Sequence, residues 1–379
     1  MYTVKGAFGN VLMRFFSLLP LRNEVIFSSF DGQSSGDNPR LIYEEMRKKY
    51  PDLKYTWFLY NPDTNIEGAE VIKAYSVKAL YHQSVSKLWI FNSRQREWIH
   101  KRKDQFYVQT WHGDVCIKKI EADASNQLGE YYMREAKHDS EMADLMISGS
   151  DFRTNNYKTA FMYDGEILEF GTPKSVVYYE SPVIHRTKVL DYYKLADDVK
   201  IALYCPTFRN NGDIDVYNLD YDLLRSALME RWPGNWVIIV RLHPKLQKFQ
   251  NQIKYSDTTL NGSAYLSTDE LIISSELLVT DYSGCMFQGL EANKKVVLYT
   301  PDLDEYIKNE RDLYFDIQKL PFPIIKSNSK IHDVILNFDE SKYAQETRIL
   351  KSQIGYKTTI DSTQRVVDHI FNKVWRCDK

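Results

Sequence analysis

Short apolar runs recur along this chain with little polar interruption, and stretches of helical spacing separate most of them. "EVIFSSF" (24–30), "KYTWFL" (54–59), "KLWIFNS" (87–93) and "FYVQTW" (106–111) are followed by "DLMISGS" (144–150) and "EILEFG" (166–171). A second series begins at "KIALYC" (200–205) and continues through "NWVIIV", "ELLVT" and "KKVVLY". A strand exposed on one face alternates apolar with polar residues. A continuous apolar run is instead buried on both faces, as in a parallel sheet covered by helices. The order therefore predicts an α/β protein with two parallel sheets.

The intervening stretches supply the helices. "GQSSGDNPRLIYEEMRKKY" predicts one that opens with Asp37 or Asn38 as N-cap and Pro39 in the first turn. Others are expected at 130–143, 152–163, "YDLLRSALMERW", "STDELIISS" and "CMFQGLEA". A length of 379 residues suits two or three domains. The boundaries read as a segment 1–22, a first domain 23–175, a second domain 176–361, and a last helix within 362–379 that packs back across the hinge. The irregular, charged stretch 172–198 reads as the linker. Two such domains imply a cleft between them.

A net charge of −2 gives no global field for nucleic acid. The four cysteines, Cys116, Cys205, Cys285 and Cys377, form no CxxC and no zinc spacing, so they read as reduced thiols in a cytosolic protein. In 1–22, Lys5, Arg14 and Arg22 accompany Val11, Leu12, Phe15, Phe16, Leu18 and Leu19 at helical spacing. That apolar stretch is too short to span a bilayer. It fits a helix lying on an anionic membrane surface, and equally one docked on the protein's own core.

Ligands of open parallel sheets bind beyond the carboxyl ends of the strands. Four such tips carry unusual chemistry: Trp111-His112-Gly113, Pro206-Thr207-Phe208-Arg209, Arg241-Leu242-His243-Pro244-Lys245 and Thr280-Asp281-Tyr282-Ser283-Gly284. The last three are expected on one edge of the second sheet, with His112 facing them from the first domain. Gly284 would let the backbone approach a phosphate, a helix from Cys285 would offer N–H groups, and Thr280 and Ser283 would add hydroxyls. Arg209, Arg241 and Lys245 would supply positive charge. An N-cap and turn without a ligand would give the same "TDYSG" pattern. His112 and His243 each follow an apolar strand beside a glycine or proline turn, a setting that suits acid–base work. The other six histidines read as surface or satisfied core residues. No GxGxxG or GxxxxGK[ST] is present. Asp213-Ile214-Asp215 and Asp302-Leu303-Asp304 have a DxD form that can hold a nucleotide-linked metal, but both read as structural, and no metal or cofactor is expected.

Five of these segments, in order, resemble the CDP-glycerol glycerophosphotransferases of wall teichoic acid synthesis. "QTWHG" is similar to the family's WHG element, and "SGSDFRTNNYKTAFMYDGEILEFGTPKSV" to its S-x-F…AF…G-x-P-R segment. "LYCPTFRN", "RLHPK" and "LLVTDYSG" with "VVLYTPDLDEY" are similar to the APT[WF]R, RxHP and ITDYSS…YxxDxxxY elements. Asp114-Val115 stand where the family usually has Thr-Pro, Gly284 replaces a second serine, Gln288 an aspartate, and Lys174 an arginine. The resemblance implies a GT-B fold, two Rossmann-like domains facing across a cleft. It implies transfer of an alditol phosphate, glycerol phosphate foremost, from a CDP-alditol to a hydroxyl of a lipid-linked saccharide or polymer, releasing CMP at the cytoplasmic face of the membrane. The absence of a long N-terminal extension suits a short primase-like or capsule-type enzyme. His112 and His243 are then catalytic, and Pro206, Thr207, Arg209, Thr280, Asp281 and Ser283 surround the diphosphate. A nucleotide-sugar glycosyltransferase on the same scaffold, and a non-catalytic membrane-surface protein with a degenerate site, are the alternatives.

Overall fold

The computed structural model describes residues 4–209, 217–242, 246, 250, 253–309 and 312–376. Contacts divide the chain into two compact units. One comprises Met1–Asp114, Ile120–Val176 and Lys357–Lys379, and the other Val115–Lys119 and Val177–Tyr356.

The first unit is a seven-stranded parallel sheet. Its strands are β1 (Arg22–Ser28), β2 (Lys54–Leu59), β3 (Glu70–Lys73), β4 (Ser86–Phe91), β5 (Phe106–Gln109), β6 (Leu145–Ile147) and β7 (Glu166–Leu168), in the order β3-β2-β1-β4-β5-β6-β7. Both faces are buried, as the continuous apolar runs require. Val25, Phe27, Trp57 and Ile90 enter one core with Ile42, Met46, Val366, Val367 and Ile370. Ile26, Phe58, Trp89 and Tyr107 enter the other with Ala79, Leu80, Tyr157 and Phe161. The order reverses direction between β1 and β4, which places the ligand-binding crevice of such a sheet at their carboxyl ends.

The second unit repeats the plan with β8 (Lys200–Cys205), β9 (Trp236–Val240), β10 (Thr259–Asn261), β11 (Leu277–Thr280), β12 (Lys295–Tyr299) and β13 (Ile324–Ile325). All pairs are parallel, in the order β10-β9-β8-β11-β12-β13, so the reversal falls between β8 and β11. The carboxyl tips after Cys205, Val240 and Thr280 therefore share one edge, as the sequence predicts.

Two local expectations change, at the start of the helix Asp37–Lys49 and in the stretch expected as linker. The helix Asp37–Lys49 is preceded by Gly36 as N-cap, with no side-chain cap. Asp37, at φ +63°, and Asn38 turn their side chains to other partners described below. The stretch expected as linker contains a helix, Pro182–Tyr193, which packs on the helix Thr268–Ser274. The C-terminal helix Ser362–Phe371 packs on the helix Asp37–Lys49, within the first unit.

The N-terminal helix Val4–Phe16 docks one face on its own unit. Gly6 and Gly9 lie against the Trp98 ring so closely that an added Cβ at Gly9 would come within 2.6 Å of it, and Met13 is buried. The opposite face exposes Phe8, Val11 and Phe15, each by more than 60%, and Leu18 follows at 82%. Both sequence readings of this segment thus have a face of the helix to support them. Among the described residues, no helix is long and apolar enough to cross a membrane.

Candidate functional site

At the first sheet's reversal, the turn after β5 carries His112. Trp111 adopts φ +51°, an uncommon conformation for an aromatic residue and one that needs support from its surroundings. The support is local. Trp111 N–H donates to Gln109 Oε1 at 2.9 Å, and Asn38 Nδ2 donates to the Trp111 carbonyl at 3.1 Å. Lys174 Nζ donates to the His112 carbonyl at 2.7 Å and lies 3.2 Å from the Asp37 carboxylate. Asn92, at the tip of β4, donates to Asp37 Oδ1 at 3.2 Å, and its side-chain oxygen accepts from Phe30 N–H at 2.7 Å.

The imidazole itself is oriented by one bond. His112 Nδ1 lies 3.0 Å from the Asn92 carbonyl oxygen. A carbonyl only accepts, so Nδ1 carries the proton and the neutral ring presents an unprotonated Nε2. Trp111 stacks on the ring at 4.4 Å and Phe30 meets it at 5.6 Å. The residue keeps solvent exposure, yet the protein crowded around it lowers its pKa below 6.5. The Asn92 carbonyl and the Asp37 charge oppose that shift, and the Lys174 and Arg153 charges add to it. The resulting group is neutral at pH 7 with one basic lone pair, as a general base requires.

At the second sheet's reversal, Thr207 after β8 meets Asp281 after β11. Thr207 N–H donates to both Asp281 oxygens, at 2.9 and 3.0 Å. Arg209, 3% exposed, reaches Asp281 at 2.8 Å and holds Asp302 through Nε at 2.7 Å and Nη2 at 3.2 Å. Tyr282 donates to the same Asp302, and its ring stacks on Tyr306 at 3.5 Å. This differs from the expectation of a guanidinium open to a diphosphate. The Arg209 charge is spent on two carboxylates that tie the tips of β8, β11 and β12, and its pKa is raised accordingly, the cost of burial being outweighed. Asp302 is thereby a partner of Arg209, in keeping with a structural DxD. Arg241 donates to the carbonyls of Gly262 and Tyr265, which are neutral, and forms no ion pair among the described residues.

The "TDYSG" loop differs in other details. Thr280 turns its hydroxyl inward to the Cys205 carbonyl at 2.7 Å. The helix Cys285–Glu291 satisfies its first turn locally: Ser283 Oγ accepts from Cys285 N–H, and the Gly284 carbonyl from Phe287 N–H. Gly284 has an ordinary φ of −56°, and what it permits is the close approach of the Val115 carbonyl, 3.2 Å from where a Cβ would stand. Ser283 and the backbone of Gly284 remain partly exposed at the tip. The Thr207 hydroxyl oxygen is buried without a hydrogen-bond partner among the described residues. Pro206 is buried and fixes the turn out of β8. Cys205 hydrogen-bonds Cys285, which with burial drives its thiol pKa far up, as suits an inert reduced thiol.

His243, Pro244 and Lys245, Asp213 to Asp215, and Cys377 lie outside the described residues. The remaining histidines have partners as expected: His82 meets Glu24, His185 lies between Glu180 and Glu270, and His369 meets Glu166.

The sequence pattern of the family described as CDP-glycerol:poly(glycerophosphate) glycerophosphotransferase matches residues 11–372. The chain belongs to this family. Its relatives are of two lengths. It is 28% identical to a teichoic acid poly(glycerol phosphate) polymerase of Bacillus spizizenii, covering 95% of each chain. It is 27% identical to the teichoic acid glycerol-phosphate transferase of Staphylococcus aureus, covering 94% of each. Against the poly(glycerol phosphate) polymerase of Bacillus subtilis, at 26% identity, it spans 92% of its own length but 49% of the relative. The solved wall teichoic acid polymerase TagF superposes with a TM-score of 0.86 at 25% identity, over 98% of this chain and 95% of that one. The glycerophosphotransferase fold is thus GT-B-like, with two Rossmann-like parallel α/β units.

Sequence reasoning located the tips but missed the support around His112. Asp37 and Asn38 stood out only as cap candidates, Lys174 only as a departure from the family's arginine, and Asn92 not at all. The conjunction "SGDNP" after β1 and a polar residue ending β4 is the signal available, since both fall at the sheet's reversal.

Proposed function

We propose that this enzyme transfers glycerol phosphate from CDP-glycerol to a hydroxyl of a lipid-linked acceptor, in teichoic acid or capsule synthesis. Family membership supports the reaction class, and the His112 tautomer is the observation that carries the mechanism. The acceptor oxygen attacks the β-phosphorus and its proton passes to His112 Nε2. The bond from that phosphorus to the bridging oxygen breaks, and CMP leaves with the electron pair. The donor's diphosphate is assigned to the tips of β8, β9 and β11, with Thr207, Ser283 and the Gly284 backbone as hydrogen-bonding groups and Arg241 as a charge. Arg209, Asp281, Thr280 and Pro206 hold that loop in shape. His243 and Lys245, from the "RLHPK" segment, are assigned to the diphosphate and the departing phosphate. Charge neutralisation there accounts for much of the rate.

The acceptor is assigned to a membrane surface at the cytoplasmic face. The outer face of the N-terminal helix, with Phe8, Val11, Phe15 and Leu18, supports this reading, together with a shallow recess of about 460 Å³ lined by Arg14, Ser17, His100, Lys101 and Arg102. A soak of a TagF variant with CDPG concerns that relative and accords with the donor proposed here. The test offers CDP-glycerol, CDP-ribitol and UDP-sugars with a lipid-linked acceptor. CMP release with CDP-glycerol, and an acceptor heavier by one glycerol phosphate, is expected. UDP release from a UDP-sugar, with CDP-glycerol inert, overturns the proposal.

A further inference from the structure

The loops after β1, β2 and β3 carry three aromatic side chains to which the proposed transfer assigns no role. Phe30, Tyr60 and Tyr75 are 37%, 47% and 39% exposed. Phe30 and Tyr75 hold φ +49° and +59°, and Asp31 between them in space holds +60°. Aromatic residues are rarely found there, and strain of this kind concentrates at binding sites. The backbone is fixed around them: Tyr60 N–H donates to the Gly32 carbonyl at 2.8 Å, and Ala74 N–H to the Leu59 carbonyl at 2.8 Å.

The polar groups converge on one carboxylate. Tyr75 hydroxyl donates to Asp31 Oδ1, Tyr60 hydroxyl lies 3.5 Å from Oδ2, and Arg96 Nη2 donates to Oδ2 at 3.0 Å. Arg96 also approaches Glu135 at 3.6 Å and sits 6.0 Å over the Tyr75 ring. The Tyr60 and Tyr75 rings lie 6.4 Å apart at 33°. Phe30, which precedes Asp31 in the chain, meets the His112 ring at 5.6 Å.

We propose that Phe30, Tyr60 and Tyr75, with Asp31 and Arg96, form a subsite for an uncharged sugar ring of the acceptor beside His112. The inference rests on the transfer reading above and names the acceptor's chemistry. A pyranose offers an apolar C–H face to aromatic rings and hydroxyls at its edge to a carboxylate and a guanidinium. Arg96 is balanced by Asp31 and Glu135, so the shelf has no net positive charge. That suits a neutral sugar and disfavours a glycerol phosphate repeat, which carries one negative charge per unit. A sugar-terminated acceptor, as in a priming step, follows from the chemistry of the shelf.

The test is binding to the full chain without nucleotide, so its outcome is independent of whether CDP-glycerol is the donor. Octyl pyranosides of glucose, galactose, mannose and their 2-acetamido forms are examined by saturation-transfer NMR, beside an oligo(glycerol phosphate). At least one pyranoside is expected to bind, with affinity falling about fivefold or more in the double variant Tyr60→Ala/Tyr75→Ala and in Arg96→Leu. Tyr60→Phe, which keeps the ring, retains most of it. The proposal fails if no pyranoside binds, if binding survives the double variant and Arg96→Leu unchanged, or if the oligo(glycerol phosphate) binds this shelf as well as the best sugar.

Discussion

His112 illustrates how little chemistry a single residue needs when its neighbours do the positioning. One carbonyl at 3.0 Å decides which nitrogen is basic. Replacement by Ala should lower kcat by about 10²–10⁴ while the Kd for CDP-glycerol stays near wild type. Single-turnover kinetics check this, and a variant with full rate removes His112 from the role of base. The lowered pKa has a definite sign. The base is lost as pH falls, so the acid limb of kcat/KM should lie below 6.5, with no loss on this limb at neutral pH. Lys174→Met removes a charge that depresses this pKa and frees Asp37, which raises it. Both changes push the same way, so the limb should move to higher pH in that variant. A limb that stays in place, or moves down, contradicts the assignment.

At the scale of elements, the tips of β8, β11 and β12 are joined by one buried guanidinium. Arg209→Met leaves the buried Asp281 and the mostly buried Asp302 without their cationic partner, a change that typically costs about 3–5 kcal/mol. A urea midpoint equal to wild type would show that the two carboxylates find other partners. The N-terminal helix makes the complementary case. Replacing Phe8, Phe15 and Leu18 by Ser removes exposed apolar area without touching the face on Trp98. Binding to anionic vesicles should weaken by about tenfold or more, given roughly 1.5–3 kcal/mol per fully buried side chain, with the thermal midpoint unchanged. Undiminished vesicle binding would remove this face from membrane attachment.

The strands themselves were legible because each apolar run is long enough to be buried on both faces: "KYTWFL" and "KIALYC" coincide with β2 and β8. Strands β3, β10 and β13 were not, since each is a short, incompletely buried strand at a sheet edge with no long apolar run to mark it. Arg209 was found as a functional position, but its carboxylate partners lie 72 and 93 residues away along the chain, and no local pattern reveals that its charge is already neutralised.

At the scale of the whole molecule, the two units differ in how the chain builds them. The second is nearly one continuous stretch, Val177–Tyr356, whereas the first needs Lys357–Lys379 as well as the N-terminal portion. Val366, Val367, Ile370 and Val374 are buried in the same core as Val25 and Phe27. A chain ending at Tyr356 should keep a cooperative transition for the second unit and lose or strongly lower that of the first, because about 2 kcal/mol of burial is forfeited at each of these four side chains. Calorimetry checks this, and two undisturbed transitions would refute it.

That arrangement imposes an order on biosynthesis. A nascent chain leaving the ribosome exposes the strands around His112 early, yet their covering helix emerges only after the whole second unit. The later portion can close on itself while the earlier one waits with apolar surface uncovered, which makes the interval before residue 374 emerges the period of greatest exposure to aggregation and to proteases.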